Sequence, residues 1–190
     1  TEFIVVKETV VLPANSGQLF MGASNLRAIE GANKFDTSSV THMNWMFGNA
    51  SSLESLDLNQ WDTSSVIEMT AMFNGTSSLK ELAIENFDTS KVTNMSRMFA
   101  GTTSLEELSI GNWNTQLATT MSMMFARSGI IHLDLNNWNT RSLEDISWMF
   151  QNASIRTVSV KDWNTTKVQN MTGTFQNAVA ITELDLSDWT

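Results

Sequence analysis

One column of aromatic residues, Phe35, Trp61, Phe87, Trp113, Trp138, Trp163 and Trp189, recurs along this chain at steps of 26, 26, 26, 25, 25 and 26 residues. A second column is Phe20, Phe47, Phe73, Phe99, Phe125, Phe150 and Phe175, and a third is Leu53, Leu79, Leu105, Ile130, Ile155 and Ile181. Ten of the 12 Met fall into two more columns, which include Met69, Met72, Met95, Met98, Met121 and Met124. A fixed period of this length means that one small supersecondary unit is stacked on copies of itself. Taken alone, the Met and Trp content would suggest a cofactor or copper pocket; the period points to a stacked core.

One unit reads Leu79-x-x-Leu82-x-Ile84-x-x-Phe87-Asp88-Thr89-Ser90-x-Val92-x-x-Met95-x-x-Met98-Phe99, followed by the small turn Ala100-Gly101-Thr102-Thr103-Ser104. Leu82-Ala83-Ile84 alternates apolar and polar as a strand with one buried face does. Val92, Met95, Met98 and Phe99 lie at i, i+3, i+6 and i+7, one stripe of a two-turn helix. Asp88-Thr89-Ser90 would cap that helix, and the glycines of Asn74-Gly75 and Ala100-Gly101 would end it in the left-handed conformation. Neither a two-turn helix nor a lone strand is stable by itself, so the units must stack, with strands pairing in parallel. The expectation is an α/β repeat solenoid, a leucine-rich-repeat-like right-handed superhelix with a parallel β-sheet on one face and short helices on the other. Residues 1–17, with the apolar run Phe3 to Leu12, read as an N-terminal β cap. Residues 18–190 read as a solenoid of about six to seven 25–27-residue units. No second cap is visible after Trp189, so the array is expected to be truncated there.

Composition limits function. With 11 Lys+Arg against 20 Asp+Glu the formal net charge is -9, which argues against nucleic acid and anionic membrane surfaces as partners. Cys is absent, which removes disulfides, thiolate metal sites and a Cys nucleophile. No apolar run approaches the ~18 residues that cross a bilayer.

The run Phe87-Asp88-Thr89-Ser90-Lys91-Val92-Thr93-Asn94-Met95-Ser96-Arg97-Met98-Phe99 closely resembles the repeat signature of BspA-like leucine-rich-repeat bacterial surface proteins. The variant is the 25–26-residue repeat common in mycoplasma lipoproteins and Gram-positive secreted proteins. Leu12-Pro13-Ala14-Asn15-Ser16 resembles the segment that often precedes it. Departures are Ala118 for Val, Ile146 for Met, and Gly173-Thr174 before Phe175. The resemblance implies an extracellular or cell-surface protein used for adhesion or partner binding, with no catalytic residue to carry over and no cofactor.

Several columns could carry chemistry. Asp36, Asp62 and Asp88, continued by Asn114, Asn139 and Asn164, could bind Ca²⁺ between turns, but Asn in half the units favours simple capping. The column Thr37, Thr63, Thr89, Thr115, Thr140 and Thr165 suggests an ice-binding face; Gln116 and Arg141 beside it favour turn hydroxyls instead. His42 and His132 make no obvious pair, and Ser77-x-x-Lys80 lacks the companion elements of an acyl-transferase. Six Asn-x-Ser/Thr sequons, at Asn49, Asn74, Asn94, Asn152, Asn164 and Asn170, are of the kind a Ser/Thr/Asn-rich repeat produces by chance. The outward columns of the sheet are the functional candidates, because they vary while the core columns repeat. They comprise Asp57, Glu81, Glu85, Glu107, His132, Asp134, Lys161, Glu183 and Asp185. Such a face suits a protein or glycan on a host or neighbouring cell surface. The expectation is a non-enzymatic binding or adhesion module. The alternative is a structural spacer, or a scaffold segment self-associating through its C-terminal end.

Overall fold

The computed structural model describes residues 1–190, and its regular elements are all short. In chain order they are β1 (Phe3–Val5), β2 (Val10–Val11), β3 (Ala28–Glu30), a 3₁₀ turn at Ala32–Lys34, β4 (Phe35–Asp36), β5 (Ser55–Asp57), β6 (Glu81–Ala83), β7 (His132–Asp134) and β8 (Thr157–Ser159). Every strand pairing is parallel: β1 with β3, β2 with β4, β5 with β6 and β7 with β8. Registers follow the repeat, placing Leu56 beside Leu82 and Leu133 beside Val158. Residues 1–17 join the array directly, since Phe3 pairs with Ala28 and Val10 with Phe35.

Between the strands lies one continuous core in which equal residues stack. The rings of Phe47 and Phe73 are 5.6 Å apart and tilted by only 2°, and Phe73–Phe99, Phe99–Phe125 and Phe125–Phe150 continue the stack at 5.8, 5.6 and 5.3 Å. Trp113, Trp138, Trp163 and Trp189 form a second stack. A buried indole must place its N–H, and the period supplies the acceptor. Trp113 Nε1 donates to the Ile84 carbonyl at 3.2 Å, Trp138 Nε1 to Ile110 at 3.0 Å and Trp163 Nε1 to Leu135 at 3.0 Å, each reaching into the preceding coil. Of the departures from the repeat, Ala118 and Ile146 are as buried as the residues they replace, and Thr174 is buried as well.

The expected helices are not there. The stripe Val40, Met43, Met46, Phe47 and Ala50 is buried as a helical stripe would be, but its backbone runs as successive turns. Alternate amides take different partners. Met46 N, Gly48 N and Ala50 N donate locally to Met43 O, Trp45 O and Phe47 O, three residues back. Met43 N, Trp45 N, Phe47 N and Asn49 N donate along the array to Glu68 O, Thr70 O, Met72 O and Asn74 O, at 2.7–3.0 Å. The chain therefore builds a second parallel ladder here, with bridges linking Asn15, His42, Glu68, Asn94, Thr120, Asp145 and Asn170. The geometry requires two left-handed residues per coil. Gln18, Trp45, Ala71, Arg97, Met123, Trp148 and Gly173 form one such column with φ of 54–62°, and Gly22, Asn49, Gly75, Gly101, Arg127, Asn152 and Asn177 form the other. Each non-glycine in this conformation costs about 1–2 kcal/mol. The inter-coil hydrogen bonds, repeated in every coil, are what a two-turn helix could not supply.

Two further expectations change with the helices. Asp36, Asp62 and Asp88 do not cap helices; each accepts the amide of the residue two places on, as in Asp62 Oδ1 with Ser64 N at 3.0 Å and Ser64 Oγ at 2.6 Å. Asn114, Asn139 and Asn164 close the same turn without the charge. The Thr column points inward. Thr63 Oγ1 donates to the Asp88 carbonyl and accepts the Asp88 amide, and Thr140 does the same with Asn164. These hydroxyls are buried links between coils, so no flat Thr surface faces water.

Candidate functional site

On each strand of the sheet the middle residue is buried and its neighbours point out: Leu56 between Ser55 and Asp57, Leu82 between Glu81 and Ala83, Leu133 between His132 and Asp134, Val158 between Thr157 and Ser159. The alternation follows from the period of two in a strand. All nine candidates, Asp57, Glu81, Glu85, Glu107, His132, Asp134, Lys161, Glu183 and Asp185, are exposed on this face.

They gather around three open grooves. The largest, about 480 Å³, is lined by Asp57, Glu81, Glu85 and Glu107, with Lys80 as its one cation. A smaller groove of about 190 Å³ runs on from it and brings Glu85 and Ser109 near Gly111, Asn137 and Asp134. A third, about 280 Å³, holds Lys161, Glu183 and Asp185 with Asn136 and Ser159. His132 lines none of these; its Nδ1 lies 2.6 Å from the Thr157 hydroxyl.

Local turns aim the carboxylates. Asp57 Oδ1 accepts the Asn59 amide at 3.1 Å and Asp134 Oδ1 the Asn136 amide at 3.2 Å, leaving Oδ2 of each free for a partner. Asp185 Oδ1 accepts both the amide (3.0 Å) and the hydroxyl (2.6 Å) of Ser187, and its Oδ2 lies 3.8 Å from Lys161 Nζ. The Ser187 hydroxyl, then its amide, then Lys161 hold the Asp185 carboxyl below the usual range. Glu85 is likewise lowered, first by its own backbone amide and then by the Asn59 side chain. Hydrogen bonds to the charged form favour it. With few cations to neutralise it, the face carries a concentrated negative charge.

The sheet is interrupted inside this site. Residues 106–110 occupy the place of a strand but form none, so β6 and β7 have no ladder between them. The expected continuous sheet is thus a series of two-stranded ladders, of which β5–β6 and β7–β8 flank this rung. Leu108, at the position of the buried Leu82 and Leu133, is half-exposed and lines the largest groove. Ser109 and Gly111 stand in the outward columns and Lys80 in the Ser77-x-x-Lys80 pair; sequence reading did not single out Leu108, which holds an inward position in its unit.

Comparison with known proteins bears on the repeat itself. The family described as "Mycoplasma protein of unknown function, DUF285" matches residues 14–83 and 76–189. The chain belongs to the DUF285 family. Its signature run Phe87–Phe99 lies in the second DUF285 segment, and the likeness to BspA-like leucine-rich repeats of the mycoplasma type stands. No curated protein matches the chain. A solved leucine-rich repeat protein from Bacteroides ovatus aligns at 12% identity and a TM-score of 0.26, covering 94% of this chain and 62% of that one. The chain thus spans less than two thirds of that protein's length.

Proposed function

We propose that this chain is a non-enzymatic binding module of a cell-surface or secreted protein, recognising a protein or glycan partner through the outward face of its parallel strands. The observation that carries the reading is the contrast between the two sides of each strand. The inward side repeats Leu, Ile, Phe and Trp coil after coil, while the outward side changes at every rung and frames grooves with pre-aimed carboxylates. Repeat arrays commonly use such a face for binding. The charge favours a basic or polyhydroxylated partner, because a surface of one sign attracts its complement and repels like-charged competitors.

The experiment is a binding screen of the soluble chain as wild type and as the double variant Glu107→Lys/Asp134→Lys. The panel holds extracellular-matrix proteins, bacterial cell-wall glycans and the chain itself. Both residues are exposed, so the variant keeps its fold, checked by circular dichroism. A partner bound by wild type and lost by the variant supports the module and locates its face. A partner retained with equal affinity refutes the site, and a hit only against the chain itself, indifferent to those charges, replaces the reading with a self-associating scaffold.

A further inference from the structure

Where the sheet is intact, each rung passes main-chain hydrogen bonds to the next: Leu58 N donates to Ala83 O at 2.9 Å and Leu135 N to Ser159 O at 2.9 Å. At the two equivalent places flanking residues 106–110, the amides of Ile84 and Ile110 have no main-chain acceptor. The residues themselves are buried, at 0% and 1% exposure. The upper end of the rung shows the same defect. Lys80 N reaches Glu54 O at 2.9 Å and Arg156 N reaches Ile131 O at 2.8 Å, but no amide of residues 106–110 reaches Lys80. Grooves open on both sides of this rung, and Leu108 has partly left the core.

The opposite side of the same coils is intact. Met95 N donates to Thr120 O at 3.1 Å, Thr119 N to Thr93 O at 2.9 Å and Met121 N to Asp145 O at 2.9 Å. The bridges Asn94–Thr120 and Thr120–Asp145 are present, and Phe99 stacks on Phe125 at 5.6 Å. Pins remain at the ends of the broken rung. Trp113 and Trp138 hold the carbonyls of Ile84 and Ile110, and Ile131 N holds Glu106 O at 3.1 Å. The defect is therefore one-sided.

We propose that residues 106–110 form a seam at which the array flexes, opening and closing between β6 and β7 on the strand side while the turn side stays joined. Main-chain groups left out of the ladder are a standing cost to the closed arrangement, and water satisfies them when the seam opens. The same ladder bond is missing between Gly31 and Asp57 and between Val160 and Asp185. The rung at residues 106–110 is the one inside the array that lacks it on both sides, and local opening concentrates where such bonds are few. The consequence falls on the candidate face. Asp57, Glu81 and Glu85 lie on one block, and Asp134, Lys161, Glu183 and Asp185 on the other. Flexing changes the spacing between the two groups, with Glu107 on the moving rung.

Two measurements on the whole chain test this. In hydrogen exchange, the amides of Ile84 and Ile110 should exchange at least about tenfold faster than those of Leu58 and Leu135, their ladder-bonded equivalents. Equal protection would mean that the ladder is continuous in solution and would overturn the proposal. Because the chain has no Cys, paired nitroxide labels report only on introduced sites. Glu81→Cys with His132→Cys spans the seam on the strand side, and Thr93→Cys with Glu144→Cys spans the same coils on the turn side; all four residues are exposed. The strand-side pair should show a broad distance distribution and the turn-side pair a narrow one. Equally narrow distributions, even with fast exchange, would make the gap rigid and would also overturn the proposal.

Discussion

Replacing Thr140 by Val isolates the inward Thr column as a structural device. Thr140 is 3% exposed, and its hydroxyl donates to the Asn164 carbonyl at 3.1 Å and accepts the Asn164 amide at 2.8 Å. Valine keeps the β-branched shape and nearly the same volume, so no cavity opens and only the hydroxyl is lost. A net neutral hydrogen bond contributes about 0.5–1.5 kcal/mol, so the pair is worth about 1–3 kcal/mol. Asn164 is exposed, and water can reach its main-chain groups in part, which places the expected loss near the middle, about 2 kcal/mol. For a chain of this size that is a fall in Tm of about 4–8 °C. The assay is urea unfolding followed by Trp fluorescence, with an unchanged slope required before midpoints are compared. Thr93→Val is the control: Thr93 is exposed and its hydroxyl reaches only the Ile67 carbonyl, at 3.5 Å, so its effect should stay within about 0.5 kcal/mol. A Thr140→Val variant as stable as that control would refute the claim that these hydroxyls join the coils.

Phe99→Ala, which empties a place between rings 5.8 and 5.6 Å away, should destabilise by about 3–5 kcal/mol, while Thr93→Ala costs little; comparable losses in urea midpoint would mean the phase of this segment is misassigned. Gly101→Ala should cost about 1–2 kcal/mol through the backbone alone, because φ is 72° and the new Cβ meets only Gly75 atoms at 3.5 Å, an ordinary contact. The same change at Gly75 should cost more, since its Cβ would lie 2.5 Å from Asn49 Oδ1. Acid should weaken the fold in a defined direction. The Ser64 and Ser90 hydroxyls, then their amides, hold Asp62 and Asp88 below the ordinary value of 3.8. A carboxyl lowered by folding adds stability above its unfolded value and loses it as pH falls through the folded one. Urea midpoints should therefore drop below about pH 4, and Ser64→Ala/Ser90→Ala should flatten that drop; an unchanged acid limb would separate these turns from acid stability.

Part of the candidate face was legible in advance for a simple reason. In a strand, the neighbours of a buried Leu point outward, so Asp57, Glu81 and Asp134 follow from Leu56, Leu82 and Leu133. What could not be read was their grouping. Leu108 holds an inward position in its unit, yet its rung fails to pair and it lines the groove beside Glu107. His132 shares their outward column yet lies apart from the grooves, its ring turned to Thr157.

The sequence by itself determined the stacking. Identical residues at a constant step have one low-energy arrangement, ring on ring and Leu on Leu, and the parallel direction and register of the strands follow from it. It left open where the main-chain hydrogen bonds go. Val40, Met43, Met46, Phe47 and Ala50 mark a buried stripe whether their amides bond within a helix or along the array. The stripe records only which side chains avoid water. Choosing between the two needs the neighbouring coil, because an isolated two-turn helix is too short to hold itself together while a stack of coils offers every alternate amide a carbonyl at 2.7–3.3 Å. The seam is decided at the same level. Leu82, Leu108 and Leu133 hold the same place in their units, and only the packed array shows that the rung carrying Leu108 forms no ladder while its turn side stays joined.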